Sequence, residues 1–295
     1  MSRFLDPAVL GAISGLDLIA KTVVDGFVAG LHASPDFGFS QEFAEYRAYT
    51  PGDDLRHVDW NVYARTERAY LKRYRGETNS LVTLLLDASN SMNFASRAVT
   101  KMDYARFMAA AICYLAIRKQ RDAAGLLVFD DEVRSYIRPS RRQGQLHRLL
   151  AGIELAEPRA RTSFEEPLRR LQTFLRRRGI VVILSDFYEN PETIIRAIEP
   201  LRFHGNEVLL FHILDPGEIR PQLGATALLV DLETRARIEV TAEYAAREYR
   251  EKILLHIERL RDGARRAGMG YQLLVTDRPL DDALREYLTI RRGRK

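Results

Sequence analysis

The sequence predicts an α/β protein built on a doubly wound, mostly parallel sheet of Rossmann type, with an N-terminal helix and a small β-rich extension ahead of it. Three observations lead there. Apolar runs of strand length recur at 81–86, 124–129 and 180–184, as strands covered on both faces require, and 207–214 reads as a further strand. Longer stretches lie between them, with apolar residues returning every three or four positions, the mark of helices with one buried face. The two patterns alternate, which implies βα units wound around a parallel sheet. A chain of 295 residues that is 46% hydrophobic has the material for one large domain and a smaller appendage.

Residues 1–79 read differently from the rest. Leu16, Ile19, Val23, Phe27 and Leu31 fall at helical spacing. A mixture of glycine, aromatic and charged residues follows over 37–77, with Pro51-Gly52-Asp53-Asp54 as a turn and 69–74 as a short strand. The turn carboxylates are expected to pair with Arg47, Arg56 or Arg65 rather than hold a metal. His57 and Asp59 alternate as on one strand face. No nucleophile stands near them, so they are read as structural. Trp60 is expected to pack against its own domain.

The α/β domain is assigned to 80–295. Its first strand is Leu81-Val82-Thr83-Leu84-Leu85-Leu86. A helix is expected over 99–119, with Tyr104, Phe107, Met108, Ala111 and Leu115 on one face and Cys113 as a small core residue. The strand at 124–129 comes next, with an edge partner at 132–138. Helices follow at 143–153 and 164–178, then the strand at 180–184. The helix at 191–203 carries Pro191 in the first turn, where the missing N–H does no harm. After the strand at 207–214, a hairpin insertion near 225–240 is built from 227–232 and 236–240. A long helix over 242–267, a last strand at 271–275 and a closing helix at 280–287 complete the chain.

Bulk properties exclude several classes. No apolar run approaches the ~20 residues that cross a bilayer. The first twelve residues lack the basic start and apolar length of a secretory leader. A single cysteine excludes an internal disulfide. The expectation is a cytoplasmic protein without membrane insertion. The net charge of +5 reflects 45 basic against 40 acidic residues. Arginine clusters such as Arg141-Arg142 and Arg265-Arg266 read as solvated helix faces or C-terminal turns, where cations complement the helix dipole. No nucleic-acid partner is expected. No GxxxxGK[ST] motif occurs, so the chain is not itself a P-loop ATPase.

In doubly wound sheets ligands bind beyond the carboxyl ends of the strands, where the strand order reverses. Three loops there carry chemistry: Asp87-Ala88-Ser89-Asn90-Ser91, Ser185-Asp186-Phe187, and Arg161-Thr162-Ser163. They offer two carboxylates and several hydroxyls, with no histidine or cysteine. All-oxygen donors select a hard cation, Mg2+ or else Mn2+ or Ca2+. If the carboxylates act through water while serines bind directly, the cation stays electrophilic. It then seeks one more anionic oxygen, which a partner's Glu or Asp side chain can supply. Plain helix capping by Asp87 or Ser89 is the simpler alternative. An enzyme with Asp87 as nucleophile and Asp186 as metal ligand is the rival function. Against it, Ser89 stands where a second Asp would serve as general acid, and no Lys or Arg in these loops is identifiable as a dedicated charge stabiliser.

Asp87-Ala88-Ser89-Asn90-Ser91 resembles the DxSxS motif of von Willebrand A domains, which builds their metal ion-dependent adhesion site (MIDAS). The resemblance implies Ser89 and Ser91 as direct ligands, Thr162 as the threonine of the second loop, and Asp87 and Asp186 acting largely through bound waters. That second loop is often Gly-Thr-Asp in the family and reads Arg161-Thr162-Ser163 here, so Ser163 is an alternative to Thr162. The stretch from Phe43-Ala44-Glu45-Tyr46-Arg47 through Pro51-Gly52-Asp53-Asp54 to Val58-Asp59-Trp60 is similar to the signature of a bacterial family, domain of unknown function 58. Ala64-Arg65 and Leu214-Asp215-Pro216-Gly217-Glu218 are similar to it as well. That resemblance implies a protein–protein interaction module working with a MoxR-type AAA+ ATPase in the maturation or assembly of other proteins. The cation reading requires Ser89, Ser91 and Asp186 to meet at one rim, with no lysine filling the gap between them.

Overall fold

The structure is a computed structural model that describes residues 6–32, 43–51, 53–54, 58–74, 80–159, 163–174, 178–221, 227–230, 237–241 and 244–293. The chain divides into two compact units, Leu31–Thr78 and the combination of Met1–Gly30 with Asn79–Lys295. Helices α1 (Pro7–Leu10) and α2 (Leu16–His32) open the chain. Up to Gly30 they group with the sheet, whereas the sequence placed all of 1–79 in one extension. The physical reason is burial: Leu10, Ile19, Ala20, Val23, Val24 and Phe27 are all core residues. The Arg285 guanidinium stands 5.8 Å from the Phe27 ring centre, and Lys119 pairs with Asp25 at 2.9 Å.

The smaller unit contains β1 (Phe43–Ala48), α3 (Trp60–Thr66) and β2 (Tyr70–Tyr74), with the two strands antiparallel. Asp59 caps α3 by accepting from the Asn61 and Val62 N–H groups at 3.1 and 3.3 Å, which gives this buried carboxylate a structural role. Asp53 accepts from Arg47 Nη2 at 2.5 Å and from the Thr50 N–H at 2.9 Å. The turn is therefore an ion-paired one, as expected. Trp60 departs from expectation. It is 58% exposed, with its ring edge-on to Tyr63 at 6.0 Å. His57 lies outside the described residues.

The larger unit is built on a six-stranded sheet. Its strands are β3 (Leu81–Asp87), β4 (Ala123–Phe129), β5 (Val133–Ser140), β6 (Ile180–Ser185), β7 (Glu207–Leu214) and, after a separate β8 (Ala227–Val230) and β9 (Arg237–Val240) hairpin, β10 (Gly270–Val275). The order across the sheet is β10-β7-β6-β3-β4-β5, with every pair parallel except β4–β5. Counted from β3 this is 3-2-1-4-5-6 read from the β5 side, the doubly wound order. β4 and β6 are buried at every position and β3 at all but its first, so the apolar runs follow from cover on both faces. β5 is the half-exposed edge and carries Arg134, Arg138 and Pro139. It packs tightly on β4: a Cβ at Gly125 would stand 2.7 Å from the Ile137 carbonyl oxygen and 2.6 Å from Pro139.

Helices α4 (Lys101–Tyr114), α5 (Gln145–Glu154), α6 (Glu165–Phe174), α7 (Pro191–Phe203), α8 (Pro216–Ile219) and α9 (Arg250–Arg266) lie between these strands, and α10 (Asp281–Gly293) follows the last of them. Thr100 caps α4, its hydroxyl accepting from the Asp103 N–H at 2.9 Å. The closing helix runs to Gly293, beyond the 287 expected, because Leu288 continues its buried face. No helix among the described residues is long and apolar enough to cross a membrane.

Candidate functional site

β3 and β6 are adjacent parallel strands, and the strand order reverses between them, so their carboxyl ends open on the topological switch point. Asp87 is the last residue of β3, Ser185 the last of β6, and Asp186 follows it. Hydrogen bonds join the two ends. Ser185 Oγ donates to Asp87 Oδ2 at 2.5 Å, and the Ser89 N–H donates to Asp87 Oδ1 at 2.8 Å. The second bond turns the chain back on itself just after the strand, as aspartate does in Asx turns. It brings the Ser89 and Ser91 hydroxyls to 3.0 Å from each other. Ser89 precedes a short 3-10 turn, Asn90–Asn93, but its side chain makes no capping bond. Helix capping therefore does not account for it.

The rest of the loop is pinned from the side. The Ala88 N–H donates to the Phe129 carbonyl at 2.7 Å, and the Arg159 N–H donates to the Ala88 carbonyl at 2.8 Å. On the β6 side, Phe187 adopts φ 50°, a left-handed conformation that a bulky residue takes only when its surroundings enforce it. Here they do. The Phe187 N–H donates to Ser185 Oγ at 2.9 Å, its carbonyl accepts from His256 Nε2 at 2.9 Å, and its buried ring stacks on Phe164 at 5.3 Å.

Asp87, Ser89, Ser185 and Asp186 are fully buried. Burial, followed by the nearby Asp186 charge, pushes the Asp87 carboxyl up to about 7, against the opposing pull of the Ser185 and Ser89 bonds. Asp186 divides its two oxygens. Oδ1 is buried and has no hydrogen-bond partner among the described residues. Oδ2 accepts from Lys101 Nζ at 2.8 Å, and the same ammonium donates to Glu218 Oε1 at 2.6 Å. The Tyr188 and Phe94 ring centres lie 4.8 and 5.9 Å from it. Burial works against the Lys101 charge, but Asp186 and Glu218 outweigh it and hold its proton more firmly than usual. Burial leaves Glu218 above the ordinary carboxylate range despite Lys101.

Lys101 is the residue that sequence reasoning missed. The expectation was that no lysine or arginine served these loops, yet α4 delivers one from its first turn. The signal was its position, because a cation at a helix N-terminus opposes the helix dipole. Lys101 bonds Asp186 and Glu218 but none of Asp87, Ser89 and Ser91. Glu218 in turn belongs to the Leu214-Asp215-Pro216-Gly217-Glu218 segment. Asp215 and Glu218 form a reciprocal capping box on α8. Asp215 also accepts from the Ser96 N–H at 3.0 Å and from the Ser96 hydroxyl, tying this segment to the loop ahead of α4.

Four of the five expected site residues, Asp87, Ser89, Ser91 and Asp186, therefore lie on the two loops at this switch point. Thr162 and its neighbour Arg161 lie outside the described residues. Ser163 is described, and its N–H donates to the Asp130 carbonyl at 3.1 Å. Among the described residues no group of three or more His, Cys, Asp or Glu side chains is arranged to hold a metal. The donors here are two carboxylates and hydroxyls.

A family model described as "Protein of unknown function DUF58" matches residues 45–257. The chain belongs to the DUF58 family. An uncharacterized protein of Mycobacterium tuberculosis (strain H37Rv) is 30% identical over 296 residues, covering 98% of this chain and 92% of that one. Among solved structures, the conserved hypothetical protein BatB from Bacteroides thetaiotaomicron is similar, with a TM-score of 0.48 and 14% identity over 72% of this chain and 99% of that one. The SpRpn10 VWA domain is similar with a TM-score of 0.44 and 14% identity, over 70% of this chain and 94% of that one. In this DUF58 protein, Asp87 is poorly disposed to act as a nucleophile. It is wholly buried, and both of its oxygens already accept hydrogen bonds.

Proposed function

We propose that this DUF58 protein is a protein–protein interaction module that holds a divalent cation, Mg2+ or else Mn2+ or Ca2+, at the ends of β3 and β6 to capture a partner's Glu or Asp side chain. The observation that carries this reading is the buried Asp186 Oδ1, which lacks a partner among the described residues and belongs to the residue after Ser185, the donor to Asp87. A buried anionic oxygen is expensive unless a cation or donor satisfies it. The surrounding oxygens are of the kind a hard cation selects. Ser89, Ser91 and Thr162 would hold it directly, with Asp87 and Asp186 acting largely through water, as the adhesion-site resemblance implies. Bound there, the cation would supply an open coordination position to an external carboxylate oxygen. Ser185 and the Ser89 N–H would keep Asp87 oriented toward it.

The partner implied by the family resemblance is a MoxR-type AAA+ ATPase, and the task is maturation or assembly of other proteins, in the cytoplasm. A pull-down of wild type and Asp87→Ala, each in Mg2+ and in chelator, tests the reading. Partner capture is expected only for wild type in Mg2+, with both proteins giving the same far-UV circular dichroism. Equal capture in all four samples would remove the cation bridge. A phosphatase screen in Mg2+ addresses the hydrolase alternative, and robust turnover abolished by Asp87→Ala would favour it.

A further inference from the structure

We infer that Lys101 is a built-in counter-cation that weakens the rim's grip on a divalent ion, so that the ion is held firmly only when a partner's carboxylate joins it. This inference rests on the cation reading above and adds a residue that sets its strength. The Lys101 side chain is 0% exposed, and its ammonium sits 2.8 Å from Asp186 Oδ2 and 2.6 Å from Glu218 Oε1. Asp186 thus carries a fixed positive charge on one oxygen, while its other oxygen is buried and without a partner among the described residues. Any cation drawn to Asp186 meets a carboxylate whose field is already partly cancelled, and it is repelled by the ammonium as well.

The placement is costly in two ways. It buries a cation, and it puts that cation at the positive end of α4, a helix whose start is fixed by the Thr100 cap. Glu218 acts in the opposite sense. By sharing the ammonium it draws part of that charge away from Asp186, and it adds a negative charge nearby. Lys101 is thus a positioning residue, touching neither the cation nor the partner. The balance leaves the bound cation short of negative charge, a deficit that an incoming carboxylate fills.

The two partners have effects of opposite sign, which a merely structural role would not produce. Isothermal titration of the full chain with MgCl2, and separately with MnCl2, compares wild type, Lys101→Met, Glu218→Gln and the double variant Lys101→Met/Ser89→Ala. Removing one charge at hydrogen-bond range alters the binding of another by about tenfold or more. Lys101→Met is therefore expected to bind Mg2+ more tightly than wild type by that factor, and binding by Lys101→Met alone also supports the inference. Glu218→Gln is expected to bind more weakly by a few-fold, and Ser89→Ala to abolish the gain made by Lys101→Met, placing it at the rim. A folded Lys101→Met protein that binds Mg2+ no more tightly than wild type overturns the inference. If Lys101→Met fails to fold, Glu218→Gln decides, and affinity equal to or above wild type overturns it. Equal, measurable affinity in wild type and both single variants removes the role of Lys101 and leaves cation-dependent capture standing. Absence of binding in all of them removes both.

Discussion

Asp87 concentrates the energetics of the site in one carboxylate. Its folded pKa of about 7 lies far above the ordinary value of 3.8, first because it is desolvated and then because Asp186 is near. The folded protein therefore keeps a proton that the unfolded chain releases above about pH 4. The stability tied to this group is fully present below the unfolded value and is lost as pH rises through about 7. Asp87→Asn keeps an acceptor for the Ser89 N–H and removes the charge. In chelator at pH 8 it is expected to be more stable than wild type by about 1–2 kcal/mol, and to gain nothing from Mg2+. The advantage should shrink toward pH 4. Thermal melts across that range check it, and a variant less stable than wild type at pH 8 would contradict it. The candidate donors themselves were legible in the sequence, because Asp87, Ser89, Ser91 and Asp186 sit directly after buried apolar runs. Lys101 was not, because its place at a helix start, unfavourable to a cation, does not say what it pairs with. Its partners are 85 and 117 positions away, and only folding puts them together.

Among the elements, β3, β4 and β6 were legible because full burial writes an almost wholly apolar run, and α7 because Pro191 marks its start. Helix ends were less so. Leu288 and Ile290 carry α10 past the last aromatic of its core face, and periodicity alone does not mark where a helix stops. Trp60 misled for a different reason. A seven-residue helix in a unit of fewer than fifty residues has little core in which to bury an indole. The β4–β5 contact gives a sharper test of the packing. Gly125→Ala forces a methyl group against the Ile137 carbonyl and the Pro139 ring. It is expected to cost about 1–3 kcal/mol, the usual penalty for overpacking a tight interior. The urea midpoint should fall with the slope unchanged. An unshifted midpoint would mean that the edge strand yields freely.

For the molecule as a whole, the sheet joins the rim to the aromatic packing beneath it. His212 on β7 is wholly buried and hydrogen-bonded through Nδ1 to the Tyr271 hydroxyl at 2.8 Å. Its ring meets Phe187 edge-on at 5.7 Å and lies 5.9 Å from His256. Burial, and then His256, hold its imidazole neutral far below the usual histidine range. The unfolded chain takes up this proton near pH 6.5, whereas the folded protein does so only at much lower pH. This contribution to stability is present above pH 6.5 and is lost as pH falls below it. Unfolding free energies measured from pH 7 to pH 5 should therefore decline more steeply for wild type than for His212→Phe, and parallel curves would refute this. Neither the sheet order nor the meeting of β3 and β6 could be read from any single segment. Both follow from the alternation of strands and helices, which allows few ways of winding a parallel sheet.

The reversed strand β5 has a consequence for how these molecules meet one another. A bare sheet border invites the backbone of a neighbouring chain to continue the ladder. Here that border ends in Arg134, Arg138 and Pro139. Arg138 puts a positive charge on it, Arg134 is held by Asp130 at 2.6 Å, and the prolyl nitrogen has no hydrogen to offer. Crowded copies are thereby discouraged from growing into fibrils along this side, and association is left to surfaces made of side chains.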